Sequence, residues 1–344
     1  MAHIVLSDDG ISFDGRSPET GPLGGAEGAV VALVEALAGR GHRVEVYNRC
    51  AARLLHKGVS WIPLAEGTPE AADLYIANRG NRLIGLVPRA RKALFWIHNP
   101  ARYLKKWRYV WALWRRKPVI VCIGDYHATT VPGWMPRGGL EVIPYGLDES
   151  FRHAEPLASP PPPRAIFTSN PLRGLDWVLD VWTRRIRPAL PEAELHIYSG
   201  PTVYGEAGGK QAKAMAAVLS RAKSLESSGV RCAQPLPRAQ LIQALRGARA
   251  MLYRGDENET FCAAVAEAQA LGVPVVAQPI GSLPERVVDG VTGDLAVDAE
   301  TFAASSVVLL RDNERWRRMH LAALQCQRGQ SWDEVAQRFE ALIP

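Results

Sequence analysis

Short apolar runs alternate with helix-length segments along almost the whole chain, and four consecutive prolines, 160–163, interrupt the alternation. That break constrains the fold more than any other feature. Proline lacks a backbone N–H and fixes φ, so such a run joins neither a central strand nor a helix interior. Before it, candidate strands lie at 3–6, 43–47, 60–63, 74–77, 93–97, 119–123 and 141–143. After it they lie at 165–168, 194–198, 230–233, 248–253 and 273–277. Several are unbroken apolar runs, as expected of parallel strands covered on both faces. The pattern predicts two doubly wound α/β domains, 1–153 and 165–329, joined by a linker at 154–164. Open sheets of this kind bind ligands at the carboxyl ends of their strands, so the ligand is expected in the cleft between the domains.

A chain of 344 residues suits two such domains, and 47% hydrophobic with 22% charged residues is the composition of a folded globular protein. No apolar run is long enough to cross a bilayer, and the opening MAHIVLSDDG is too short and too acidic for a signal peptide. The five cysteines, Cys50, Cys122, Cys232, Cys262 and Cys326, show no paired spacing. Reduced thiols in a cytoplasmic protein are expected, with no zinc site.

The net charge of +6 is unevenly distributed: through Ser150 there are 19 Lys and Arg against 14 Asp and Glu, and 22 against 21 thereafter. Much of the excess lies in 102–117, RYLKKWRYVWALWRRK. At helical spacing Tyr103, Trp107, Val110, Trp111 and Trp114 share one face, with Lys105, Arg108, Arg115 and Arg116 largely away from it. The stripe fits a core-facing helix with a solvated basic back, the reading we prefer. It also fits an interfacial helix on an anionic membrane. No nucleic-acid module surrounds it, so nucleic acid is not an expected partner.

Chemistry concentrates in 256–285, DENETFCAAVAEAQALGVPVVAQPIGSLPE. Helical spacing puts Glu259 at a helix mouth and Glu267 two turns further in, roughly 12 Å away at about 1.5 Å per residue. Amides at a helix start lack partners and attract anions, so Thr260, Phe261 and Cys262 can receive phosphate oxygens while the carboxylates accept polyol hydroxyls. Cys262 reads as a small apolar filler.

This segment, with Gly272-Val273-Pro274 and Pro284-Glu285 behind it, resembles the donor motif of the retaining family 4 glycosyltransferases, which have the GT-B fold. The resemblance implies that Glu259 contacts sugar hydroxyls, Glu267 the nucleotide ribose, and the intervening amides the sugar and diphosphate. It also implies that a final segment, 330–344, crosses back onto the first domain. Gly24-Gly25-Ala26-Glu27 opens a helix without the glycine spacing of a dinucleotide fingerprint. The family places such a loop beside the diphosphate, which makes Gly24 and Gly25 site candidates. His98 ends a strand, and similar family members carry a His or Asp near there that faces the reacting sugar. Asp125 and His127 hold the equivalent end of the next strand and are acceptor-side candidates.

The family usually has an Arg in the turn after the first strand of the second domain and a Lys a few residues later. Here the turn reads Thr168-Ser169-Asn170-Pro171-Leu172-Arg173-Gly174. Arg173 matches the later cation, whereas Ser169 and Asn170 are neutral, so the two-cation clamp is incomplete unless Arg254 reaches in. The resemblance implies a metal-independent, retaining transferase without a cofactor. It moves a sugar from a nucleoside-diphosphate donor to a glycan or lipid-linked acceptor, in envelope or exported polysaccharide synthesis at the inner membrane face. A GT-B epimerase or phosphorylase, or a non-catalytic binding protein on the same scaffold, are the alternatives.

Overall fold

The apolar runs become strands because each can be covered on both faces by helices. The computed structural model describes residues 1–21, 23–200 and 205–344. It divides into one unit of Met1–Gly146 with Gln330–Pro344, and a second of Leu147–Gly329.

The strands of the first unit are β1 (His3–Asp8), β2 (Arg43–Asn48), β3 (Leu54–His56), β4 (Val59–Pro63), β5 (Ala71–Asn78), β6 (Arg89–Trp96), β7 (Val119–Cys122) and β8 (Gly139–Val142). Among the described residues they form one sheet in the order β3-β4-β2-β1-β5-β6-β7-β8, with only β3 antiparallel to its neighbour. The chain reverses its direction of winding between β1 and β5. Asp8 and Asn78 end those two strands and pair in register. The helix Gly25–Gly39 follows β1 and buries Val30, Leu33, Val34 and Leu37.

In the second unit, β9 (Arg164–Phe167), β10 (Glu194–Tyr198), β11 (Val230–Ala233), β12 (Ala250–Tyr253), β13 (Val275–Ala277) and β14 (Gly293–Leu295) form a parallel sheet. Its order is β11-β10-β9-β12-β13-β14, so winding reverses between β9 and β12. Crevices outside the strand ends at such reversals are where doubly wound sheets hold ligands.

The helix Trp332–Glu340 packs on the first unit. Arg40 pairs with Asp333 at 3.0 Å and Glu340 at 2.7 Å, while Phe339 stands edge-on to Trp96 at 5.4 Å. The proline-rich segment differs from an open tether. Side chains of the second unit hold it: Leu157 N–H donates to His320 Nε2 at 3.0 Å, and Arg317 donates to the Ala158 carbonyl at 2.9 Å.

The 102–117 stretch also departs from expectation. It is a 3-10 turn, Ala101–Lys105, followed by a separate helix, Trp107–Arg116. Tyr109 and Leu113 fill the core, and Trp107, Trp111 and Trp114 stand 76%, 48% and 63% exposed. The three tryptophans of the stripe therefore face solvent while Tyr103 and Val110 pack against the core, and the core-facing reading is corrected for the tryptophans. Helical period says which residues share a face, but only tertiary packing says which face is covered.

Candidate functional site

In the second unit, functional groups gather where β9 and β12 end. Tyr253 closes β12, stacks on Phe167 at 5.7 Å, and donates its hydroxyl to Glu259 Oε1. Arg173 Nη1 pairs with the same carboxylate oxygen. Burial opposes the Arg173 charge, but Glu259 and then Tyr253 more than offset it and raise its pKa above the ordinary guanidinium value. Tyr253, Glu259 and Arg173 thus form a triad.

Glu259 does not stand on the helix. The helix is Ala263–Ala270, its N-cap is Cys262 in a left-handed conformation, and Glu259, Thr260 and Phe261 form the loop ahead of it. The two-turn spacing expected between the glutamates is therefore corrected: half of the separation is loop. Gly281 braces that loop. At φ +59°, an added Cβ would lie 2.8 Å from the Asp256 carbonyl and 2.9 Å from that of Glu259, so only glycine fits. Ser282 N–H also donates to the Glu259 carbonyl at 3.1 Å.

The Phe261 ring is buried under Arg286, whose guanidinium sits 4.6 Å from the ring centroid. What this residue can offer a ligand is its backbone. The Cys262 thiol is buried and pushed well above its usual value, first by burial and then by the Glu259 charge, so it is no nucleophile. Glu267 lies on the helix, half-buried, and burial pushes its carboxyl up to about 7. Arg238 lowers that value and Asp148 raises it; these two pair with each other at 2.6 Å.

The turn after β9 is built from its own polar groups. Asn170 Oδ1 accepts from Leu172 N–H at 2.9 Å, and Ser169 Oγ lies 3.3 Å from the Tyr253 hydroxyl. Asn170 thereby shapes the turn that carries Arg173. Arg254 is tied elsewhere: its Nε donates to Gln278 Oε1 at 3.0 Å and its guanidinium lies over Trp177.

In the first unit a buried polar network occupies the ends of β1, β5 and β6. Asn78 Nδ2 donates to Asp8, and Arg79 bridges Asp8 at 2.8 Å and Glu27 at 2.9 Å. His98 Nε2 meets Asn78 Oδ1, and its Nδ1 meets the Tyr145 hydroxyl. Because the Asn78 amide nitrogen already donates to a carboxylate, its oxygen must accept, so His98 carries its proton on Nε2 and accepts from Tyr145. Burial above all, then Arg79 and His127, hold His98 well below the usual imidazole value. Both ring nitrogens face protein groups. His98 is thus a neutral hub of this network.

Gly24 caps the helix beside this network, and a Cβ built at Gly25 meets nothing within 4 Å. No neighbouring protein atom therefore demands glycine at 25. His127 is likewise internal: Ile123 N–H donates to its Nδ1 at 3.2 Å and its Nε2 reaches the Asn99 carbonyl at 2.9 Å. Burial lowers its pKa to about 4. Of the two acceptor-side candidates, only Asp125 is exposed.

Sequence reasoning missed Asp8, Glu27, Asn78, Arg79, Tyr145 and Tyr253. Asp8, Asn78 and Tyr253 were accessible to it, since each is the last residue of a strand flanking a winding reversal. Arg79, at φ +66°, carried no such signal. Among the described residues no group of three or more His, Cys, Asp or Glu is arranged to hold a metal ion.

Residues 163–312 match the family model described as glycosyl transferases group 1. A D-inositol 3-phosphate glycosyltransferase of Nocardia farcinica is 38% identical over 105 residues, which cover 30% of this chain and 23% of that protein. The match thus spans about a quarter of that curated relative. Among solved structures, a sucrose-phosphate synthase from Thermosynechococcus elongatus aligns with a TM-score of 0.74 at 16% identity, covering 98% of this chain and 97% of its own. HepE of Anabaena, solved with UDP and glucose, aligns at 0.68 and 15% identity over 99% of both chains. These likenesses give the fold, GT-B.

Proposed function

Because residues 163–312 match the family model described as glycosyl transferases group 1, we propose that the chain moves a sugar from a nucleoside-diphosphate donor to a hydroxyl acceptor with retention of configuration. The observation that carries this reading is the Tyr253–Glu259–Arg173 triad at the end of β12, one loop ahead of a helix start.

Donor binding opens the triad. Glu259 exchanges Arg173 for sugar hydroxyls, and the released guanidinium turns to the diphosphate, where it can bind two oxygens at once. Backbone amides of 260–262 add donors of the kind that bind phosphate at helix starts. Glu267, once ionised, accepts the ribose hydroxyls. As the anomeric carbon–oxygen bond breaks, negative charge grows on the leaving diphosphate, and Arg173 with these amides stabilises it. The acceptor oxygen bonds to the anomeric carbon on the face the diphosphate leaves. Its proton passes to the departing phosphate oxygen, so no carboxylate acts as nucleophile or base.

Two carboxylates here do not make a hydrolase pair, since Glu259 accepts from Tyr253 and, with the donor bound, from sugar hydroxyls. Ser169 and Asn170 act through the turn that aims Arg173. Gly24 and Gly25 leave room beside a helix start for a diphosphate or acceptor, and Asp125 is the exposed acceptor-side group. No cofactor is assigned. A glycan or lipid-linked acceptor in envelope or exported polysaccharide synthesis, at the inner membrane face, completes the reading. Incubating candidate nucleotide sugars with and without polyol, glycan and lipid-linked acceptors tests it, with nucleoside diphosphate release followed by proton NMR of the anomeric centre. Acceptor-dependent release with retained configuration supports it. An inverted product, or epimerised donor without transfer, overturns it.

A further inference from the structure

The exposed tryptophans of helix Trp107–Arg116 have no role in the site above. Their rings, with Val110, line an apolar groove of about 430 Å³ on the surface of the first unit. Exposing three large aromatic side chains on ten residues is costly in water, and contiguous apolar patches of this kind mark interaction surfaces.

The charge around the groove says what covers it. From residue 74 to 124 the chain has no Asp or Glu and twelve Lys or Arg. Lys105, Lys106, Arg108 and Arg115 are exposed on and beside the helix. The helix end at Lys117 borders a loop, with Lys117, Gly133, Met135 and Arg137 lining one hollow, and Trp134 in that loop is 62% exposed. Arg116 is different: it donates to the Gly85 and Pro88 carbonyls and so anchors the helix to its own unit. Aromatic rings rimmed by exposed cations match the interface of an anionic bilayer, where indoles sit at headgroup level and cations meet lipid phosphates. Among the described residues no helix is long and apolar enough to cross a membrane, so contact through this face is peripheral.

We propose that helix Trp107–Arg116, with the Trp134 loop, docks this chain on an anionic lipid surface. Trp107, Trp111 and Trp114 insert at headgroup depth, and Lys105, Lys106, Arg108 and Arg115 pair with lipid phosphates. The inference stands independently of the transfer reaction.

Co-sedimentation of the full chain with phosphatidylcholine vesicles, with and without phosphatidylglycerol, tests it. Wild type binds the anionic vesicles at low salt, and binding weakens as salt shortens the reach of surface charge. Reversal of Lys105, Lys106, Arg108 and Arg115 to Glu weakens it on the order of fivefold per residue. The triple variant Trp107→Ala, Trp111→Ala, Trp114→Ala keeps its unfolding midpoint, because these rings are exposed. It loses most of the fluorescence quenching that brominated lipids cause in wild type, keeping at most the share from Trp134. Failure of wild type to bind anionic vesicles, variants that bind as wild type does, or retention by a single-stranded oligonucleotide but not by vesicles each overturns the proposal.

Discussion

Glu267 carries a carboxyl that burial pushes up to about 7, above its ordinary 4.5. The protonated form is favoured in the folded chain, so its contribution to stability is full below about 4.5 and lost as pH rises through 7. Ribose hydroxyls need the ionised form as acceptor, which gives binding the opposite slope. Affinity for an intact nucleotide sugar, whose diphosphate does not titrate near neutrality, is predicted to rise between pH 6 and 8. Calorimetry at several pH values reads this directly, and Glu267→Gln is predicted to flatten the profile. Arg173→Ala should reduce turnover more than donor affinity, by about 3–4 kcal/mol of barrier or a few hundred-fold in rate, because leaving-group charge grows only as the bond breaks. Single-turnover rates within a few-fold of wild type would assign that charge to another group. His98, held neutral by burial, should contribute no inflection near pH 6.5 to the rate profile. Glu259 and Glu267 were singled out in the chain by the 256–285 segment, and Arg173 by the turn after the strand at 165–168. The Arg79 bridge was not, because its partners Asp8 and Glu27 lie 71 and 52 residues away in sequence and are set by how strands end.

Elements show the same division between what period reveals and what packing decides. All twelve expected strands form, most with ends within a residue or two, because apolar runs of that length have few other ways to be buried. The missed strands are β3, LLH, and β14, GDL, three residues each and too short for a periodic signal. Helix Trp107–Arg116 was legible as amphipathic, but its buried side was not. Leu113 is fully buried and Trp114 is 63% exposed, so Leu113→Ala is predicted to cost about 2–5 kcal/mol. Trp114→Ala should stay within about 0.5 kcal/mol. Denaturant unfolding of the two variants separates them, and equal losses would mean that the tryptophan side is covered after all. At the loop of 256–261, Gly281→Ala is predicted to lower donor affinity while leaving the β13 core intact. Its new Cβ meets backbone carbonyls of the loop that carries Glu259, not core side chains.

At the scale of the whole molecule, the chain separates its chemistry by unit. The second unit carries Glu259, Glu267 and Arg173, while the first carries most of the excess positive charge and the exposed tryptophans. The strand order of both sheets puts polar groups at the two winding reversals, with Asp8, Asn78 and Arg79 at one and Tyr253, Glu259 and Arg173 at the other. A calorimetric titration of wild type, Glu259→Ala and Glu267→Ala separates the roles of the two carboxylates. Each is titrated with a nucleotide sugar and with the corresponding free nucleoside diphosphate. Glu267→Ala is predicted to lose affinity for both ligands, since the ribose contact is shared. Glu259→Ala should lose affinity for the nucleotide sugar alone. Its affinity for free diphosphate should be unchanged or tighter, because Arg173 no longer has to leave a carboxylate to reach phosphate. Equal loss of free diphosphate affinity in both variants, or no binding of either ligand by wild type across a panel of bases, would contradict these roles.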